Sequence, residues 1–175
     1  MREVFSRISI ACVALLTTSV TWAAPVVVLD GTTATDILGL NVSGSVYDVA
    51  FEVDTFSNLN TVSNFPFLGD QTTAENALDA IINELNLAGA EKAGESALDG
   101  DFNVLVPYGV SGSTSLNAWG KREPPATVWS DQGTLNWNIN GVQVFATFTS
   151  VPIPAAAWLF GSALGLLGWM RRRTK

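Results

Sequence analysis

The side chains of this chain that can do chemistry are its carboxylates and its aromatics, because the commoner catalytic groups are missing. There is no histidine among the 175 residues and a single cysteine, Cys12. Without imidazole, a Ser-His-Asp relay has no base and the usual nitrogen ligation of a metal is lost. Cys12 lies inside an apolar N-terminal run read below as a removable leader, so the mature chain has no thiol for nucleophilic attack, a disulfide or zinc. No Gly-x-x-x-x-Gly-Lys or Gly-x-Gly-x-x-Gly spacing offers backbone N–H groups to a phosphate. The carboxylates remain. Asp99-Gly100-Asp101 carries oxygen ligands of the kind Ca²⁺ takes, but it lacks the EF-hand spacing, and a solvated turn explains it better. Asp48, Glu52 and Asp54 fall on one side of an alternating run, where they either collect a divalent cation or face water, and water is the simpler reading. Glycoside hydrolysis needs two carboxylates facing across a cleft, and nothing in so small a chain marks such a pair. The expectation is a protein with no catalytic residue, no cofactor and no metal site.

Aromatic rings offer a second kind of chemistry, since tryptophan and tyrosine faces stack on sugar rings. Trp119 lies in a polar stretch and is the best candidate for this, against a residue tucked onto a sheet edge. Trp119, Asp99 and Asp101 are thus the candidate ligand-binding residues. Trp137 shares a strand face with Leu135 and Ile139 and reads as core, while Trp129 fits either role.

The elements that must position these residues read as α+β, a small antiparallel β-sheet packed on one helix. Asp36 to Val42 and Ser45 to Val53 flank Ser43-Gly44, a hairpin turn. On the second run Tyr47, Val49, Phe51 and Val53 share one face, with Asp48, Ala50, Glu52 and Asp54 on the other. Thr72 and Glu75 form a capping box, Leu78, Ile81, Ile82 and Leu85 repeat at helical spacing, and Gly89 stops the run, which predicts a helix over Thr73 to Ala88. Phe102 to Pro107 reads as a strand and Gly109 to Pro125 as a loop. Leu135, Trp137 and Ile139 alternate, as do Val142, Val144, Ala146 and Phe148, and Asn140-Gly141 between them predicts a second hairpin.

Both ends read as signals rather than fold. Arg2 and Arg7 precede the apolar run Ile8 to Val20, and small residues follow at Thr21 and Ala23. This is the pattern of a secretory signal peptide over residues 1–23, cut by signal peptidase after Ala23, next to Ala24. Residues 24–150 form the exported α+β domain. It holds three basic residues, Lys92, Lys121 and Arg122, against fifteen acidic ones, a net charge of −12. Such a surface repels nucleic-acid phosphates, so no nucleic-acid partner is expected. Ala155 to Met170 is an uncharged apolar stretch with Trp158 and Trp169 near its ends, and Arg171, Arg172, Arg173 and Lys175 follow. As a helix it spans ~24 Å, barely enough for a hydrocarbon core of ~30 Å. It reads as a single transmembrane helix whose arginines stay cytoplasmic, leaving the domain outside. Pro152 and Pro154 hold the chain extended before it, a form suited to a processing enzyme at the membrane surface.

These parts, Val151-Pro152-Ile153-Pro154-Ala155, Trp158-Leu159-Phe160-Gly161-Ser162, a glycine-rich apolar stretch and Arg171 to Arg173, resemble the PEP-CTERM class of sorting domains in its VPLPA variant. The resemblance covers residues 151–175 alone. The glutamate of the commoner Pro-Glu-Pro form is Ile153 here, which puts the variant type of processing enzyme in its place. The resemblance implies a partner, an exosortase: an integral-membrane, cysteine transpeptidase-like enzyme that reads Val151 to Ala155 as substrate and cuts nearby. It also implies a Gram-negative, exopolysaccharide-making source, with extracellular polysaccharide as a further partner. The expected route is anchoring in the inner membrane with the domain outside the cytoplasm, then cell surface or matrix after processing. Three functions fit these features: a non-catalytic envelope or matrix protein, a carbohydrate- or Ca²⁺-binding surface module, and a small hydrolase. A plain single-pass anchor is the simpler alternative for the tail.

Overall fold

The computed structural model of the chain describes residues 23–60, 63–94, 102–123, 127–152 and 162. Strands β1 (Val26–Asp30), β2 (Thr33–Val42) and β3 (Ser45–Thr55) form an antiparallel meander. Its second turn is Ser43-Gly44, with φ of 50° and 90°, the doubly positive geometry of a tight hairpin. A four-residue helix, α1 (Phe56–Leu59), follows, then α2 (Gln71–Ala88) and the short β4 (Lys92–Ala93). Strands β5 (Phe102–Ser111), β6 (Thr114–Arg122) and β7 (Ser130–Asn138) form a second antiparallel meander. The last strand, β8 (Val142–Ser150), enters the middle. The sheet order is β1-β2-β3-β8-β5-β6-β7, with β4 beside β2.

This overturns the expected α+β arrangement of a small antiparallel sheet on one helix. The described residues form mostly an eight-stranded sheet that includes two parallel pairings, β2 with β4 and β5 with β8. The stretch read as a loop after Gly109 is largely strand. Its inward positions Ser115 and Asn117 are polar yet fully buried, so no apolar alternation announces β6. The Asn117 amide Nδ2 donates to the Ser115 and Leu135 carbonyls, each at 3.1 Å, which lets a polar side chain occupy a core position. Among the described residues no helix is long and apolar enough to cross a membrane. The stretch 155–170 read as a transmembrane helix lies outside the described residues apart from Ser162.

The Asn140-Gly141 hairpin is also corrected. The turn exists, with the Gly141 N–H donating to the Asn138 carbonyl at 2.9 Å, but the flanking strands do not pair. β7 pairs with β6 at the sheet edge, whereas β8 lies between β3 and β5. Neither turn residue has a positive φ. Gly141 is required for space instead: a Cβ there would stand 2.6 Å from Trp137 Nε1. In a flat sheet β7 and β8 would be three strand spacings, ~14 Å, apart, more than the closed turn between them reaches. The sheet therefore curls. The Ile139 N–H donates to the Ser113 carbonyl at 3.1 Å and its carbonyl accepts from the Ser57 N–H at 2.9 Å, bringing the β5–β6 turn and α1 together.

The curl gives two cores. On one face α2 lays Ala74, Ala77, Leu78, Ile81 and Leu85 against Ile37, Leu40, Val104, Val106, Ala118 and Val144. Gly120 lets the helix approach, since a Cβ there would meet Leu78 Cδ1 at 3.1 Å and Ile82 Cδ1 at 3.2 Å. On the other face Phe56, Phe65, Leu105 and Phe145 cluster, covered in part by Trp119, Leu135, Trp137 and Ile139. α2 starts two residues before the expected position because Asp70, not Thr72, is the cap: its carboxylate accepts from the Thr73 N–H at 3.0 Å and the Thr73 hydroxyl at 2.6 Å. At the other end Gly89 is left-handed, φ 67°, and the Ala90 N–H reaches back to the Leu85 carbonyl at 2.9 Å. Asn86 then mimics a strand partner for Trp129, accepting from its N–H at 2.7 Å and donating to its carbonyl at 3.0 Å.

Replacing Ile81 with Ala is expected to cost about 2–5 kcal/mol of stability, and Gly89→Ala about 1–2 kcal/mol, both read as shifts in urea unfolding. The Thr73 hydroxyl and N–H hold the Asp70 carboxyl below the usual aspartate range. A carboxylate depressed in the folded state stabilises fully above its unfolded pKa, and that contribution is lost as pH falls through the lower folded value. Asp70→Asn is therefore expected to flatten the acid limb of the stability profile measured by urea unfolding from pH 6 down to acid, relative to wild type.

Candidate functional site

The described part of the tail begins in the sheet itself. β8 pairs with β3 rung by rung from Thr55–Val142 to Tyr47–Ser150, nine pairs without a bulge. One further bond extends the ladder, from the Val151 N–H to the Val46 carbonyl at 2.9 Å. Pro152 follows and has no N–H to continue, so the ladder stops where the Val-Pro-Ile-Pro-Ala motif starts. Val151 and Pro152 are both exposed. Ile153, Pro154, Ala155 and the arginines at 171–173 lie outside the described residues. At the other end Ala23 and Ala24 are exposed and stand just before β1, clear of the sheet.

The described candidate carboxylates, Asp48, Glu52 and Asp54, do not converge. Asp48 accepts from the Gly39 N–H at 2.8 Å, holding the irregularity where the β2–β3 register shifts and Gly39 takes a φ of 74°. Asp54 accepts from the Thr55 N–H at 2.6 Å and from Asn58 Nδ2 at 2.8 Å, tying down the start of α1. Glu52 is exposed between them. Among the described residues no three carboxylates are grouped as a metal site requires. Asp99 and Asp101 lie outside the described residues.

Trp119 is not in a loop. It sits in β6, half-buried against the second core, and its indole N–H donates to Asn103 Oδ1 at 2.9 Å. Lys121 Nζ stands 5.9 Å from its ring centroid. One ring side and the N–H are thus committed to the protein. Trp137 packs on the same core, as its alternation with Leu135 and Ile139 implies. Trp129 is core too, 2% exposed, with its indole N–H on the Ala90 carbonyl at 2.9 Å.

Sequence reasoning missed a cavity of about 330 Å³ at the end of β8, walled by Tyr47, Pro66 and Phe148 and rimmed by Ser63, Asn64 and Ser150. It forms because β5 leaves β8 after the Leu105–Phe145 bridge, and the segment before Phe65 takes its place, with the Phe148 N–H donating to the Asn64 carbonyl at 2.9 Å. Tyr47, Phe67 and Phe148 brace the floor edge to face, with centroids 4.8–5.8 Å apart. The one signal in the sequence was Tyr47, the single residue with a polar group on an otherwise apolar face of Val49, Phe51 and Val53. Its partners come from segments 16 and 101 residues away, which no local pattern reveals.

Comparison with protein-family models, with curated proteins and with solved structures finds no match to this chain.

Asp48→Ala is expected to cost about 1–3 kcal/mol, because it leaves the Gly39 N–H without its charged acceptor. Glu52→Ala is expected to stay within about 0.5 kcal/mol of wild type. Equal losses for the two in urea unfolding would make the acidic face one cooperative unit rather than a structural tie beside a solvated residue.

Proposed function

We propose that this protein is an exported, non-catalytic component of the cell envelope or extracellular matrix, delivered through a C-terminal sorting signal that an exosortase-type enzyme reads. One observation carries the reading: the last strand ends at Ser150 and its ladder at Val151, the first residue of the motif, so the domain's pairing is complete where the processing segment starts. A processing enzyme needs an extended, accessible chain, and Pro152 both stops the ladder and favours extension of the residue before it. The Val151 and Pro152 side chains are exposed to such an enzyme. The acidic domain, net −12, suits a protein that must stay soluble outside the cell. Among the described residues, Asp48 and Asp54 hold backbone donors and Glu52 faces water, which favours a structural or binding role over hydrolysis.

With an epitope tag in the exported domain, wild type is expected to lose its tail and leave the membrane fraction, while the Pro152→Ala, Pro154→Ala double variant keeps the tail and stays. Stable full-length protein in both would replace the sorting reading with a plain anchor. Because Val151 is the last rung on a central strand, the processed product is expected to retain it. Intact mass measurement of the released domain checks this, and a C-terminus at Ser150 or earlier would show that the ladder is opened during processing.

A further inference from the structure

We propose that the cavity at the end of β8 binds a neutral sugar residue. This goes beyond the sorting reading and stands whether or not the tail is processed. Sites for small molecules run from about 300 to 1,000 Å³, so a cavity of about 330 Å³ accepts a compact ligand rather than a peptide or lipid chain. Its walls pair aromatic and proline surface with polar groups: Tyr47, Pro66 and Phe148 beside Ser63, Asn64 and Ser150. That mixture matches a pyranose, whose C–H face packs on apolar surface while its hydroxyls seek donors and acceptors. Among the described residues no lining side chain is charged. The hydroxyls of Tyr47 and Ser150, which face each other as a cross-strand pair, make no hydrogen bond to any described residue and are available to a ligand.

Electrostatics select within the sugars. An anionic uronate or sulfated unit would enter a cavity with no cation among its described lining residues, on a domain of net charge −12. Both its desolvation and the surrounding field oppose this, so the ligand is uncharged. The site is also preorganised. Tyr47, Phe67 and Phe148 hold one another edge to face, and the Asn64 backbone is fixed by Phe148, so little ordering is left for binding to cost. Trp119 lacks these properties, because its N–H is already bonded to Asn103.

The test uses the purified full chain and saturation-transfer NMR with methyl glycosides of glucose, galactose, mannose and N-acetylglucosamine, and glucuronate as the anionic comparison. At least one neutral glycoside is expected to receive saturation, with glucuronate about tenfold weaker or silent. Ser150→Trp places an indole at the cavity rim from an exposed position outside both cores, and is expected to abolish the signal. Tyr47→Phe keeps the aromatic floor and removes one hydroxyl, so binding is expected to weaken by about 2- to 12-fold with the urea midpoint unchanged. A β-linked oligosaccharide of the sugar that binds then distinguishes the source. Tighter binding than the monosaccharide assigns the site to a polymer, and equal binding to a single terminal or free sugar. No transfer to any neutral glycoside, equal transfer to Ser150→Trp and wild type, or glucuronate binding as well as the neutral sugars would overturn the proposal.

Discussion

The nine-rung ladder between β3 and β8 is the constraint on which the rest of this structure depends. It places the last strand of the sheet at its centre, between two meanders that are each complete without it. A central strand is buried on both faces, and β8 is: Val144, Ala146 and Phe148 belong to the first core, while Gln143 and Phe145 are buried on the other side, Phe145 against Phe56 and Phe65. Neither core closes until β8 is in place. The pairing spans a sequence separation of roughly ninety residues, so loop-closure entropy is lost before the ladder forms, and slow folding is the physical consequence. The described domain is therefore a unit whose folding waits on its last strand, β8, and the segment after that strand follows a finished fold.

The same geometry explains why two features meet at the end of β8. β5 leaves β8 after one bridge because the β5–β6 hairpin curls toward α1, and the gap beside Phe148 is filled only partly by the chain before Phe65. The cavity is what remains. Val151 completes the ladder directly after Ser150 on the cavity rim, so a ligand in the cavity and an enzyme at the motif would approach neighbouring parts of one strand end. The polar core positions follow from the curl as well. Ser115 and Asn117 lie where β7 folds over the second face, and they satisfy backbone carbonyls of that strand instead of packing against apolar side chains.

Much of the local structure was legible. The Ser43-Gly44 turn, the α2 helix and its glycine stop obey rules that act over a few residues, and the structure follows them. The helix start shifted because two capping residues compete within three positions, and the carboxylate of Asp70 is a stronger acceptor for two donors than the Thr72 hydroxyl. The failures share a cause. Asn140-Gly141 reads as a hairpin from its neighbours' alternation, yet Gly141 is there to admit the Trp137 ring, a contact set by the curl of the sheet. β6 reads as a loop because its inward residues Ser115 and Asn117 are polar, and carbonyl partners on β7 and on β6 itself make them tolerable. Trp119 reads as an exposed ring because its strand was missed.

Sequence alone determined the lack of histidine, the net charge of −12 over residues 24–150, and the position of the Val-Pro-Ile-Pro-Ala stretch just after the last strand's residues. These depend on residue types and on spacings shorter than one element. Tertiary structure alone decided where β8 goes, which acidic residues are structural ties, and that Tyr47 meets Ser63, Asn64 and Ser150 around a cavity. Such contacts join residues up to a hundred positions apart, and strand order is set by burial of both faces of β8, a property of the assembled sheet that no stretch of the chain carries by itself.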